Sequence, residues 1–476
     1  AGLLIQAGGG VSGGGRRRGH DHGIQLDGRG GQVGPLGHDL PGHGAALRRD
    51  DQRDHARTVD ALHEGVQLLL VHGLAHDDAD LPPRCEWDFR LAATVPTTAL
   101  PGASDAIGSV DLDPTGRLLA TGGIARKIRM YDVTSMLLPP PDSAAPAPAP
   151  AACICVPAKL SSVRWRPDGG AAVGCGDYDG VVTEYDAERG VASWERDEHG
   201  GRRVWSLDYA PPGAPAAMAA SGSDDRTAHV WDPRAPSGGW ATARAGAAVL
   251  CVEFDPSGAP HLAVGSADRR AHVYDVRALG RGAVHVARME GHARAVTYVR
   301  WAGPGPAERR RVVTSAADGT HRLWEWPPGT SEQGAAAREV RSYSGHASAR
   351  SFVGMGVWRG AGLVASGSES NHVFVYDLRW AKPIWVQPFA SHGPVTIGPE
   401  QVDAHAPAAG AGAGGFVSAV AWRQGSHSDD PDGGALVAGG SDGVLKVFTC
   451  RRRRGVMAMD TDCTPPPDSD EAEDKN

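Results

Sequence analysis

The sequence has no C-x-x-C pair. Its seven cysteines, at positions 85, 153, 155, 175, 251, 450 and 463, form an odd set without metal-site spacing. Neither a disulfide framework nor a structural zinc site is indicated, and a reducing compartment is expected. No apolar stretch approaches the roughly 20 residues a membrane helix needs; residues 66–71 come nearest. A signal-peptide pattern is also absent, so a soluble intracellular protein is expected, with no membrane partner. The formal net charge of −8 argues against a chain that coats nucleic acid or anionic membrane through its overall field. Missing too are G-x-S-x-G, G-x-x-x-x-G-K-[ST] and H-E-x-x-H. No hydrolase elbow, phosphate-cradling loop or zinc-protease helix is therefore encoded, and no catalytic residue, cofactor or metal is expected.

Residues 1–84 contain no Phe, Tyr or Trp, yet hold 8 of the 20 histidines. Such a segment buries too little apolar surface to offset its ordering entropy, so disorder is expected over 1–84. The other end is charged. Residues 451–454 are four arginines, and seven acidic residues with three prolines lie between 460 and 474, so a solvated tail is expected over 451–476.

Between these ends the 65 glycines and 35 prolines of the chain punctuate short alternating runs, the pattern of many short strands rather than long helices. A repeat emerges. An aromatic ends a short strand at Tyr131, Tyr185, Trp231, Tyr274, Trp324, Tyr376 and Phe448, at intervals of 54, 46, 43, 50, 52 and 72 residues. Six positions before each stands a turn residue: Ala125, Asp179, Asp225, Asp268, Asp318, Ser370 and Asp442. Small-residue runs such as Ala219-Ala220-Ser221-Gly222-Ser223 precede these turns, where close packing leaves little room for side chains.

This pattern resembles the WD40 repeat over about 85–449. The resemblance implies an all-β, seven-bladed β-propeller, with a domain over 85–450. It also implies a hydrogen-bonded chain of His, turn Asp and Trp within a blade. His199, Asp225 and Trp231 share the intervals 26 and 6 with His292, Asp318 and Trp324, and a structural role is expected for all six. Blade seven has three strands of its own and only charged sequence after them. Residues 85–95 are therefore expected to return as its outer strand. Two loops absorb excess length: 138–152, rich in Pro and Ala, after the third strand of blade one, and 392–415, rich in Ala, Gly and Pro.

Several strings are more distinctive, among them Gly176-Asp177-Tyr178-Asp179-Gly180, Arg196-Asp197-Glu198-His199-Gly200-Gly201-Arg202-Arg203-Val204-Trp205-Ser206 and Gly367-Ser368-Glu369-Ser370-Asn371. They are similar to the plant repressor of UV-B photomorphogenesis proteins, relatives of the propellers of the constitutive photomorphogenesis ubiquitin ligase and its suppressor-of-phytochrome-A partners. The resemblance implies binding to the UV-B photoreceptor, itself a propeller, and promotion of its return from monomer to inactive dimer. It also implies a top-face groove for peptides with a Val-Pro core, at Lys159, Tyr178, Arg203, Trp205, Arg269, Arg294 and Phe352. Arg269 and Arg294 match only by charge, and Ala349 stands where the ligase relatives carry an acid. The residues themselves are consistent with this use. Lys159, Arg203, Arg269 and Arg294 fall before first strands or in second-to-third-strand turns, which a propeller puts on one face. Four cations there would attract an acidic peptide, and the three aromatics offer apolar surface; an ordinary solvated face is the plainer alternative.

The endings Trp231-Asp232-Pro233-Arg234 and Tyr274-Asp275-Val276-Arg277, echoed at Tyr376-Asp377-Leu378-Arg379, resemble those that dock cullin-ligase substrate receptors to their damaged-DNA-binding adaptor. The arginines are expected free at the opposite rim for a bidentate contact. Two functions follow: a non-enzymatic regulator of the photoreceptor, or a substrate receptor of a cullin ligase acting on photomorphogenesis regulators. Nucleus and cytoplasm are the expected compartments, with residues 451–454 read either as an import signal or as a solvated tail.

Overall fold

The computed structural model describes residues 85–97, 105–137, 148–235, 241–281, 285–328, 335–389, 415–424 and 433–453, and the backbone of Leu3–Ile5. These residues form a seven-bladed β-propeller. Blades one to six occupy 107–155, 160–196, 204–244, 249–290, 296–343 and 355–388, and blade seven 417–452. Each blade is an antiparallel meander whose first strand faces the axis, and the inner strand of blade seven lies beside that of blade one.

The second strands explain the small-residue runs. Every residue of Ala172–Asp177 and Ala219–Ser223 is buried. A Cβ at Gly176 would stand 2.5 Å from Val204 Cγ1 of the next blade, so only glycine lets the blades approach this closely. Turn chemistry recurs as well. In blades three, four, five and seven the turn carboxylate (Asp225, Asp268, Asp318, Asp442) accepts the backbone N–H two residues on, at 2.8–3.1 Å. The next residue is left-handed in all seven blades: Arg126, Gly180, Arg226, Arg269, Gly319, Asn371 and Gly443.

Polar side chains stitch the inner strands together. Ser109, Ser162 and Ser206 each accept the backbone N–H of the following blade, from Val163, Leu207 and Val252 at 3.0–3.1 Å. Asp111, Asp208 and Glu253 do the same one layer down, from Trp165, Phe254 and Trp301 at 2.6–2.8 Å. Arg164 bridges Asp111 (3.1 Å) and Asp208 (3.6 Å), and Arg359 reaches Glu253 at 3.0 Å. Buried carboxylates are tolerated here because each has backbone and guanidinium partners.

The ring closes through Trp87–Pro96, which runs antiparallel along Val444–Arg452 with Trp87 opposite Arg452 and Pro96 opposite Val444. Trp87 is buried, with its ring 5.1 Å from Trp358. On its other side blade seven meets blade one, where Ser418 Oγ donates to Ile107 O at 2.5 Å.

Several boundaries differ from the sequence reading. Arg451 and Arg452 belong to the sheet rather than to a tail, because the closing strand extends opposite them and Arg452 pairs with Glu86 at 2.8 Å. Ala152 begins the strand Ala152–Cys155 instead of ending a loop, and a short helix, Val133–Leu137, follows the third strand of blade one. Within the segment expected to be disordered, Leu3–Ile5 adds a parallel fifth strand beside Ala152–Cys155. The rest of 1–84, the acidic tail, and most of the two expected loops lie outside the described residues.

Candidate functional site

The second-to-third-strand turns and the starts of the first strands share one end of every blade, and there four of the expected groove residues converge. Tyr178 sits in the turn after Ala172–Asp177, and Arg203 and Trp205 flank the start of Val204–Tyr209. The Arg203 guanidinium lies 3.9 Å from the Tyr178 ring centroid and 4.6 Å from that of Trp205. Its Nε is buried and has no hydrogen-bond partner among the described residues, so the two π-faces hold it. The Trp205 indole N–H donates to Asp224 Oδ1 at 2.6 Å, which fixes the ring's rotation.

Phe352 arrives from the loop that enters blade six. It stacks on Trp205 of blade three with centroids 4.7 Å apart and planes at 27°, spanning the channel mouth between blades that are not neighbours. Tyr298 of blade five meets Phe352 edge-on at 6.3 Å. Sequence reading did not single out Tyr298; it is the third residue of an inner strand, and only its inward direction marks it. Burial pushes its hydroxyl up to about 12, so it stays a neutral donor. Tyr178, Trp205 and Phe352 line one cavity of about 640 Å³ that continues down the channel past Arg164, Glu253 and Arg300.

The other three expected residues do not join this cluster. Lys159 and Arg269 are exposed and outside the cavity lining. Arg269 takes the left-handed conformation (φ 74°), as do Arg126 (55°) and Arg226 (72°) where three other blades have glycine. Arg294 binds backbone, reaching Ala317 O at 3.4 Å and Ala349 O at 3.3 Å, and so ties blade five to the Phe352 loop.

At the opposite rim the expected docking arginines are not free. Arg234 folds back on Asp232 (2.8 and 3.1 Å), Arg277 on Asp275 (2.6 and 2.9 Å), and Arg379 on Asp377 with a further contact to Glu86. The Asp side chain also accepts the N–H of its Arg at 2.8–3.0 Å, so a tight turn presents each fork to its own carboxylate. The aromatics Trp231, Tyr274 and Tyr376 of those endings are buried in the blade cores.

The intrablade chains run through a hydroxyl absent from the sequence reading. In blade five Asp318 holds His292 Nδ1 (3.0 Å), His292 Nε2 meets Thr314 Oγ1 (2.7 Å), and the Trp324 indole N–H donates to that same oxygen (2.8 Å). In blade three Asp225–His199 (2.8 Å) and His199–Ser221 (2.7 Å) form, but Trp231 Nε1 has no acceptor. There the indole is held by Trp194 edge-on (6.1 Å) and by Arg196 over its face (5.1 Å). The expected link to Trp231 is thus not made. His199, Asp225 and His229 have ligand atoms within 4.8 Å of one another. His199 commits both ring nitrogens to Asp225 and Ser221, so this cluster is the blade's hydrogen-bond chain rather than a preformed metal site. Among the described residues no helix is long and apolar enough to cross a membrane.

Comparison with known proteins fits this geometry. The family model "WD domain, G-beta repeat" matches residues 94–132 and 192–232. The chain is 46% identical over 370 residues to WD repeat-containing protein RUP1 of Arabidopsis thaliana, covering 77% of this chain and 86% of that protein. It is 46% identical to WD repeat-containing protein RUP2 of the same plant, over 74% of this chain and 89% of the relative. E3 ubiquitin-protein ligase COP1 of Arabidopsis thaliana is 29% identical over 73% of this chain, but the match spans only 45% of the ligase.

Proposed function

The chain belongs to the RUP family of WD repeat-containing proteins, and from that premise we propose that it is a non-enzymatic binding protein that grips a Val-Pro-containing segment of the UV-B photoreceptor and promotes the photoreceptor's return to its inactive dimer. The observation that carries this reading is the stack Tyr178–Arg203–Trp205–Phe352 over the channel mouth. It holds three aromatic faces and one guanidinium rigid before any ligand arrives, which lowers the ordering cost of binding. A proline ring fits an aromatic face, a branched side chain fits the cavity beneath, and the exposed cations Lys159 and Arg269 at the same end would draw an acidic flank. Calorimetry with a Val-Pro peptide tests it: wild type should bind, and Trp205→Ala should bind at least about tenfold more weakly. Equal heats would refute the site.

The alternative, a cullin-ligase substrate receptor, draws less support. Arg234 and Arg277 would have to leave their own carboxylates before contacting an adaptor. The photoreceptor reading needs no such rearrangement.

A further inference from the structure

A second cleft, of about 540 Å³, opens between blades five and six. Its walls come from first-to-second-strand and third-to-fourth-strand connections, which in an antiparallel blade lie at the end away from Trp205. It is lined by five arginines, 309, 311, 338, 341 and 379, and by two carboxylates, Glu325 and Asp377.

Both carboxylates are buried and already committed. Glu325 takes Arg338 at 2.5 Å and Arg309 at 3.8 Å, and Asp377 takes Arg379. Arg311 and Arg341 have no carboxylate within ion-pair distance among the described residues. Arg311 donates through Nε and one terminal nitrogen to Gly303 O and Pro304 O, both at 2.9 Å, and Arg341 donates through one terminal nitrogen to Leu378 O at 2.6 Å. Backbone carbonyls orient these guanidiniums without neutralising them, and each keeps unused N–H groups. Burial also pushes the Arg311 pKa down, outweighing the partial compensation that the nearby Glu325 supplies. On a chain of net charge −8, a cleft with three more cations than anions is a local exception.

We propose that this cleft binds a phosphoryl anion, carried either by a phosphorylated segment of a partner or by a small polyphosphate. A single carboxylate would leave most of the excess charge unmatched, whereas a phosphomonoester brings about −1.5 to −2 and three acceptor oxygens suited to guanidinium forks. Leu323, Leu378 and the part-exposed Val340 supply an apolar wall for a neighbouring side chain. The site is independent of the Val-Pro reading, being at the other end of the blades.

The test is calorimetry on the full chain with two probes, inositol hexakisphosphate and a phosphoserine peptide, each against its unphosphorylated counterpart. Saturable binding is expected, weakened about tenfold or more in Arg311→Gln/Arg341→Gln. Val340→Glu puts an acid at the mouth without removing any backbone-binding group. It should weaken binding similarly while leaving the melting temperature and the Val-Pro peptide affinity unchanged, and it decides the matter alone should the double variant not fold. Binding of the hexakisphosphate only assigns a free polyphosphate; binding of the phosphopeptide assigns a partner segment. No saturable heat from either probe, or equal affinity in wild type and Val340→Glu, would overturn the proposal.

Discussion

Phe352, on the loop entering blade six, stacks on Trp205 of blade three at 4.7 Å, so the channel mouth is bridged by two rings from opposite sides of the propeller. The loop's position then depends on the contact a ligand would use. Phe352→Ala should release the loop and weaken Val-Pro peptide binding by about tenfold, while the melting temperature changes little, because Phe352 is only half-buried. Titration and a thermal melt of the same sample check both halves.

Ring closure by Trp87–Pro96 gives the largest stability effect. Trp87 is buried against Trp358, so Trp87→Ala should cost about 3–5 kcal/mol. Denaturant unfolding measures it; a loss below about 1 kcal/mol would mean the strand is not integral to blade seven.

Blades three and five predict opposite outcomes for one substitution. Trp324→Phe removes a buried indole donor that Thr314 satisfies and should cost about 1 kcal/mol beyond lost packing. Trp231→Phe removes a buried donor that has no acceptor, so the hydrogen-bond part of its cost should vanish or reverse. The difference between the two variants in denaturant midpoint is the readout.

Acid sensitivity should come from histidines buried in the neutral form. Burial lowers the pKa of His229, His272 and His346 to about 4, and lowers that of His321, stacked on His346 with centroids 3.8 Å apart. The unfolded chain, with ordinary histidines near 6.5, takes up protons first as pH falls. Stability is thus full above about pH 6.5 and declines between about 6.5 and 4. Melting temperatures at pH 7.5 and 5 should differ less in His321→Leu than in wild type.

Arg269→Gly should hold or raise the melting temperature, since a non-glycine residue at φ 74° carries roughly 1 kcal/mol of strain. The same change removes an exposed cation from the ligand end. If the cations steer an acidic segment, peptide association should slow and lose part of its salt dependence, as stopped-flow mixing would register.

The seven blades were legible because a turn residue, Asp in five of them, stands at a constant distance from a buried aromatic, a purely local signal that the turn hydrogen bonds of blades three, four, five and seven bear out. The closing strand was legible because blade seven lacks a fourth strand of its own. Contacts between blades were not. That Phe352 reaches Trp205, that Tyr298 meets Phe352 edge-on, and that Arg311 and Arg341 share a cleft depend on loop paths and side-chain directions that no period encodes. The expectation of free arginines in the docking motif was misplaced for a subtler reason: aromatic-Asp-x-Arg is a self-contained turn in which the Arg pairs with its own Asp. Likewise Thr314 and Ser221 occupy equivalent places, yet only one accepts from its Trp.

On the proposed function, a rigid face grips the photoreceptor without a chemical step. Recovery of photoreceptor dimer after UV-B, followed on a gel with purified proteins and no ATP, tests it most directly. Wild-type protein should speed recovery and Trp205→Ala, folded to the same melting temperature, should not; recovery at one rate with either protein, or with neither, would contradict the account.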